Sequence, residues 1–148
     1  GHRGGSAPFR MNASLPAAEL LKQLTSLRDP QERLSRLVAW GRGIPTLTDS
    51  ERLSAVKVPG CVAQLWFLPA MQGEGCLFLA DSDSAVVKSV AGLLCAVHSG
   101  LTPAKVLAMS SDPLADAGIQ HHLSPNRRLG LGRLREMMRE FARSQPST

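Results

Sequence analysis

The chain has 148 residues, 43% of them apolar and 20% charged, with a net charge of +5. That length suits one domain with a proper core, and no apolar run nears the roughly 18 residues of a membrane span. The three cysteines, Cys61, Cys76 and Cys95, are an odd number in a chain large enough to fold without staples, which argues against a disulfide scaffold, and the absence of a Cys-x-x-Cys pair argues against a zinc ribbon or a thioredoxin-type motif.

Residues 1–13 open with GHRGGSAPFR, which is rich in Gly and lacks periodicity. They read as a flexible segment, either a tag scar or the stub of a processed leader, ahead of a single domain at 14–145. SLPAAELLKQLTSL (14–27) carries Leu20, Leu21, Leu24 and Leu27 at helical spacing. Asp29, Pro30 and Glu32 form an N-terminal signature for a second helix, which buries Leu34, Leu37 and Val38 and stops at Gly41. TDSE (48–51) repeats the capping-box pattern for a short helix or turn.

The period then changes. CVAQLWFL (61–68) and CLFLA (76–80) predict two strands of a hairpin joined by the turn residues PAMQGEG, with LSAVKV (53–58) as a candidate third strand. DSDSAVVKSVAGLLCAVHSG (81–100) predicts a central helix. Its Asp81 and Asp83, two positions apart, suit capping better than a paired acid/base site. Thr102-Pro103 and Ser124-Pro125 open two more helices, the last burying Leu131, Leu134, Met138 and Phe141. The order predicts an α+β fold, a small antiparallel sheet of two to three strands packed against several helices.

The arginines of the last helix are interrupted by Glu136 and Glu140, with no aromatic interleaving, so the helix reads as a solvated face and no nucleic-acid partner is expected. The positive charge suits docking to an acidic protein equally well.

Cys61 is the residue that stands out. It follows the Pro59-Gly60 turn directly, where glycine frees the backbone and a loop can display a reactive group. A nucleophilic thiol needs access and a neighbouring cation, which Arg127 and Arg128 at a helix N-terminus can supply. Against this stands a plain half-buried thiol at a strand start. Cys76 and Cys95 read as core filling, although a Cys61–Cys76 disulfide across the hairpin is open. His98 leaves open a Cys61–His98 dyad or a mixed Cys/His metal site, while the adjacent His121 and His122 would not both face one site in a helical or extended segment.

Three blocks, VPGCVAQLW (58–66), ADSDSAVVKSV (80–90) and HLSPNRRLGL (122–131), together with the loop GRGIPTL, resemble the SufE family in order and spacing. The resemblance covers residues 17 to 143. It implies a SufE/IscU-like fold and a sulfur-acceptor role. Such proteins take persulfide sulfur from a SufS- or CsdA-like cysteine desulfurase, stimulate it, and relay the sulfur to the Suf scaffold for Fe–S cluster assembly. The acceptor of the G-C-x-x-Q-x-W block maps onto Cys61, and the arginine of the S/T-P-S-R block onto Arg127 as a thiolate stabiliser. Pro59, Gly60, Gln64, Trp66, Asp81 and Asp83 then support the loop or bind the partner. The resemblance implies no cofactor on this chain, pyridoxal phosphate belonging to the desulfurase, and no metal, nucleic acid or membrane. It places the protein in the cytoplasm or, from the plant-like V-P-G-C wording, in the plastid stroma or another organelle matrix. Val62, Ser89, Asn126 and Leu129 depart from the family pattern. The competing classes are a thiol-dependent redox or hydrolytic enzyme using Cys61 with His98, and an interaction domain with an inert Cys61.

Overall fold

The computed structural model describes residues 16–146; of the N-terminal segment expected to be flexible, residues 1–13 lie outside them. Helices α1 (Ala17–Ser26) and α2 (Pro30–Gly41) come first, followed by a short α3 (Asp49–Ser54). The sheet follows as β1 (Val56–Lys57), β2 (Leu65–Gln72) and β3 (Gly75–Ser82). Helices α4 (Ala85–His98), α5 (Pro103–Ala108), α6 (Pro113–Ala117), a 3-10 turn (Gln120–His122) and the long α7 (Pro125–Ser144) complete it.

Local chemistry sets the helix starts. Asp29 accepts from the Gln31 amide, and Pro30 occupies the first helical position of α2. Thr48 and Glu51 close a reciprocal capping box on α3. Ser84, Thr102, Asp112 and Ser124 each accept an amide from the first turn of the helix that follows. Each such cap contributes on the order of 1 kcal/mol.

The sheet is an antiparallel meander in the order β1-β2-β3. Its inner face presents Leu65, Phe67, Cys76, Phe78 and Ala80, all buried. Phe67 stacks on Phe78 with ring centroids 5.6 Å apart, and Phe141 of α7 meets Phe78 edge-on at 5.8 Å. Helices α4 and α7 pack against the sheet, and α1 and α2 pack on α4. The middle of α4 is therefore buried nearly all round, from Val87 to Cys95. Ser89 within it returns its hydroxyl to the Ala85 carbonyl at 2.7 Å.

The structure corrects several expectations. The candidate third strand at 53–58 does form but is shorter than expected: the capping box carries α3 through Leu53 and Ser54, and only Val56 and Lys57 pair with β2. Strand β2 begins at Leu65, four residues later than expected, since Cys61 to Gln64 form a loop. The turn is only Gly73-Glu74, with Gly73 at φ +61°, and Pro69 lies within β2. Pro69 is tolerated because β1 pairs only with Trp66 and Phe67, leaving that edge open. Asp81 belongs to β3, so α4 starts at Ala85 and Ser84 is its cap. Helix α6 and the 3-10 turn were not anticipated.

Candidate functional site

The loop Pro59–Gln64 joins β1 to β2 and is tied at its ends. At its base the Val58 amide donates to the Leu65 carbonyl at 2.8 Å. At its exit the Gln64 amide donates to Asp83 Oδ1 at 3.0 Å, and Ser82 Oγ donates to the Gln64 carbonyl at 2.6 Å. The tip is unrestrained by comparison, with Val62 80% exposed. Gly60 adopts φ +79°, a left-handed conformation that bends the chain inward immediately before Cys61.

That bend sends the Cys61 side chain towards α7. The thiol is half-buried and packs against the core. A Cβ placed on Gly130 would lie 2.8 Å from Cys61 Cβ and 2.9 Å from its Sγ. The thiol thus rests on bare helix backbone, which only glycine permits. One turn further along α7, the Arg133 side chain lies over the loop: a Cβ on Gly60 would sit 3.0 Å from Arg133 Nε. Arg127 precedes Gly130 by three residues, on the same side of the helix, and its amide is capped by Ser124 Oγ at 3.2 Å. The sequence pointed to Arg127 and missed Gly130 and Arg133. Its available signal was an interior glycine in a helix, which costs about 1 kcal/mol relative to alanine and therefore invites a packing explanation.

Asp81 and Asp83 are not helix caps. Asp81 is 2% exposed and accepts from the Leu47 amide and from Arg52 Nη2, each at 3.1 Å. Lys88 Nζ lies 3.5 Å from its other oxygen. Arg52 in turn stacks on Trp66, its Cζ 4.3 Å from the ring centroid. This network ties α3, Leu47 and, through Lys88, the first turns of α4 to Asp81 at the end of β3, next to the loop that Asp83 holds. Gln64 contributes its backbone to that support, and its residue is exposed. Pro59 is also exposed.

The other titratable candidates lie elsewhere. All three thiols are free, so the conceivable Cys61–Cys76 disulfide is not formed. Burial pushes the Cys76 and Cys95 thiols up, which keeps them protonated and inert. His98 is buried with Nδ1 2.7 Å from the Leu94 carbonyl, so Nδ1 carries the proton. Burial lowers its pKa, and the charges of Arg135 and Arg139 lower it further while the Leu94 bond opposes them. The neighbours of His98 are thus Leu94, Arg135 and Arg139, and those of Cys61 are Gly130 and the core, which gives a dyad between the two no geometric support. His121 and His122 are exposed. Among the described residues no three His, Cys, Asp or Glu side chains gather to hold a metal, and no helix is long and apolar enough to cross a membrane.

Comparison with known proteins agrees with this architecture. A structure of a hypothetical protein from Thermus thermophilus superposes with a TM-score of 0.69 at 18% identity, over 86% of this chain and 93% of that one. An uncharacterized SufE-like protein from Synechocystis is 29% identical over 133 residues, 88% of this chain and 84% of its own. The chloroplastic/mitochondrial SufE-like protein 1 of Arabidopsis thaliana is 30% identical over 125 residues, covering 84% of this chain but 34% of the plant protein. The profile of the SufE family, described as an Fe–S metabolism associated domain, matches residues 18–142. The chain belongs to the SufE family.

Proposed function

We propose that Cys61 is a sulfur carrier that accepts the outer sulfur of a cysteine desulfurase persulfide and hands it on for Fe–S cluster assembly. The observation that carries this reading is the sheltered thiol on a tethered but free-tipped loop. In the transfer, the Cys61 thiolate attacks the outer sulfur of the partner's persulfide. A Cys61 S–S bond forms, the partner's S–S bond breaks, and its electron pair leaves with the partner thiolate, which takes up a proton. No external oxidant or reductant is needed. The same exchange run against a downstream acceptor unloads Cys61.

A carrier thiol must be shielded from stray oxidants and thiols yet reachable by its partner. Packing on Gly130 supplies the shelter. The positive-φ Gly60 and the exposed tip supply a hinge, and Arg133, which lies over the loop, with Arg127 one turn before Gly130 on α7, brings positive charge to this end of the helix for an incoming persulfide. Val62 and Leu129 are exposed apolar residues that directly follow Cys61 and precede Gly130 in sequence, so they flank the contact as a docking surface for the desulfurase. Pyridoxal phosphate belongs to that partner in this scheme. Three free thiols suit a reducing compartment, cytoplasm or organelle matrix.

The test is intact and peptide mass spectrometry after incubation with a SufS- or CsdA-type desulfurase, pyridoxal phosphate and cysteine. One sulfur is expected on the Cys61 peptide, with faster desulfurase turnover and none of either with folded Cys61→Ser. Sulfur accepted by the folded Cys61→Ser protein refutes the assignment.

A further inference from the structure

A cavity of about 130 Å3 lies where α6, the 3-10 turn and the middle of α7 meet. Arg128 and Arg135 line it from α7, and Gln120 and Asp112 add polar groups. The two arginines are seven residues apart, two helical turns on one face. Between them α7 is bare: a Cβ on Gly132 would meet nothing within 4 Å. Two arginines therefore flank an open notch.

Arg135 is incompletely matched there. One terminal nitrogen donates to the Ser111 carbonyl, while its Nε is sealed from solvent and has no acceptor among the described residues. An unmatched buried donor on a cation is among the more costly groups for a fold to retain. Asp112 is engaged elsewhere, its Oδ1 taking the Leu114 amide at 3.0 Å as the cap of α6. With two arginines against one carboxylate, the lining carries net positive charge.

We propose that this cavity binds a tetrahedral oxyanion of the size of phosphate or sulfate. Planar guanidinium forks match such oxygens well, and several waters' worth of space admits the ion. Arg128 and Arg135 hold it, and the Gln120 amide donates from the 3-10 turn. The bound ion ties that turn to α7. The site stands apart from the sulfur-carrier reading and does not depend on it.

The test uses the whole chain in sodium phosphate, sodium sulfate and sodium chloride at matched ionic strength, followed by thermal unfolding. Phosphate or sulfate should raise the midpoint saturably, by about 5 °C at roughly ten times Kd, with chloride giving no such rise. Broadening of the 31P line should report the phosphate arm directly, and the two oxyanion arms show which ion is preferred. Gly132→Asp places a carboxylate in the notch without a clash and should abolish the response in a folded protein. Arg128→Gln, at an exposed position, should weaken it at least several-fold, and Gly132→Ala should keep it. Equal midpoints in all three salts, or an unchanged oxyanion response in Gly132→Asp, overturns the proposal.

Discussion

Replacing Gly130 by alanine tests whether the Cys61 thiol rests on α7. The new methyl would stand 2.8 Å from Cys61 Cβ, 2.9 Å from Sγ and 3.2 Å from Cα. Carbon atoms in contact normally stay about 3.5–4.0 Å apart, so the overlap is severe. A rotamer change of the thiol alone leaves the Cβ and Cα overlaps in place. The loop itself must withdraw, and its exposed tip allows that. Moving a half-buried cysteine into water uncovers roughly 40 Å2 of apolar surface, a loss of about 1 kcal/mol. Alanine in a helix interior gains about 1 kcal/mol over glycine. The two terms nearly cancel, so stability should stay within about 1 kcal/mol of wild type.

Reactivity should change where stability does not. Releasing a thiol held by about 1 kcal/mol raises its exposed population about fivefold, and alkylation by iodoacetamide should accelerate by that factor. The assay follows Cys61 modification by peptide mass spectrometry across a range of pH, which separates access from ionisation. Gly132→Ala is the control: its methyl meets nothing within 4 Å, so it keeps the helix gain and leaves the alkylation rate unchanged. A wild-type alkylation rate in Gly130→Ala, with stability raised as in Gly132→Ala, would mean that Cys61 does not rest on α7. A loss of about 3 kcal/mol would instead show a loop too rigid to hinge.

Two further outcomes follow from the buried charges. Asp81→Asn removes the buried countercharge of the partly exposed Arg52 and Lys88, and should cost about 1–2 kcal/mol in urea unfolding; a loss below about 0.5 kcal/mol would show that the network adds little. His98 has a folded pKa below its ordinary 6.5, so the unfolded chain binds its proton first as the solution is acidified. Its contribution is complete above pH 6.5 and is lost as pH falls towards the folded pKa, at up to about 1.4 kcal/mol per pH unit. Denaturant titrations at pH 7.5 and 5.5 should show this step in wild type and not in His98→Leu; an equal acid loss in both would assign the dependence to other groups.

What the sequence made legible was what is local. Asp29-Pro30, Thr48 with Glu51, Thr102-Pro103 and Ser124-Pro125 start helices through bonds made within three residues, so their spacing alone reports them. The apolar faces of α1, α4 and α7 were equally plain. Asp81 shows where locality misleads. Its spacing from Asp83 looks like a cap, yet β3 continues to Ser82 and carries Asp81 into a network with Leu47, Arg52 and Lys88. Asp83 turns the other way and holds the Gln64 amide. The same applies to the start of β2, where an apolar run alone does not reveal that the backbone at Gln64 is engaged by Ser82 and Asp83 rather than by a strand partner.

The site shows the limit more sharply. Cys61 was conspicuous because Pro59-Gly60 precedes it, but its resting place is set by a residue nearly half the chain away. Glycines 130 and 132 look alike in sequence, both interior to a helix and both costing about 1 kcal/mol against alanine. In the fold they differ completely: one has the thiol against its backbone, and the other faces open space between two arginines. Propensity can flag that each glycine is expensive, but only the tertiary neighbours say what the expense secures. At position 130 that is a sheltered thiol, so the glycine belongs to the same functional unit as the cysteine it touches.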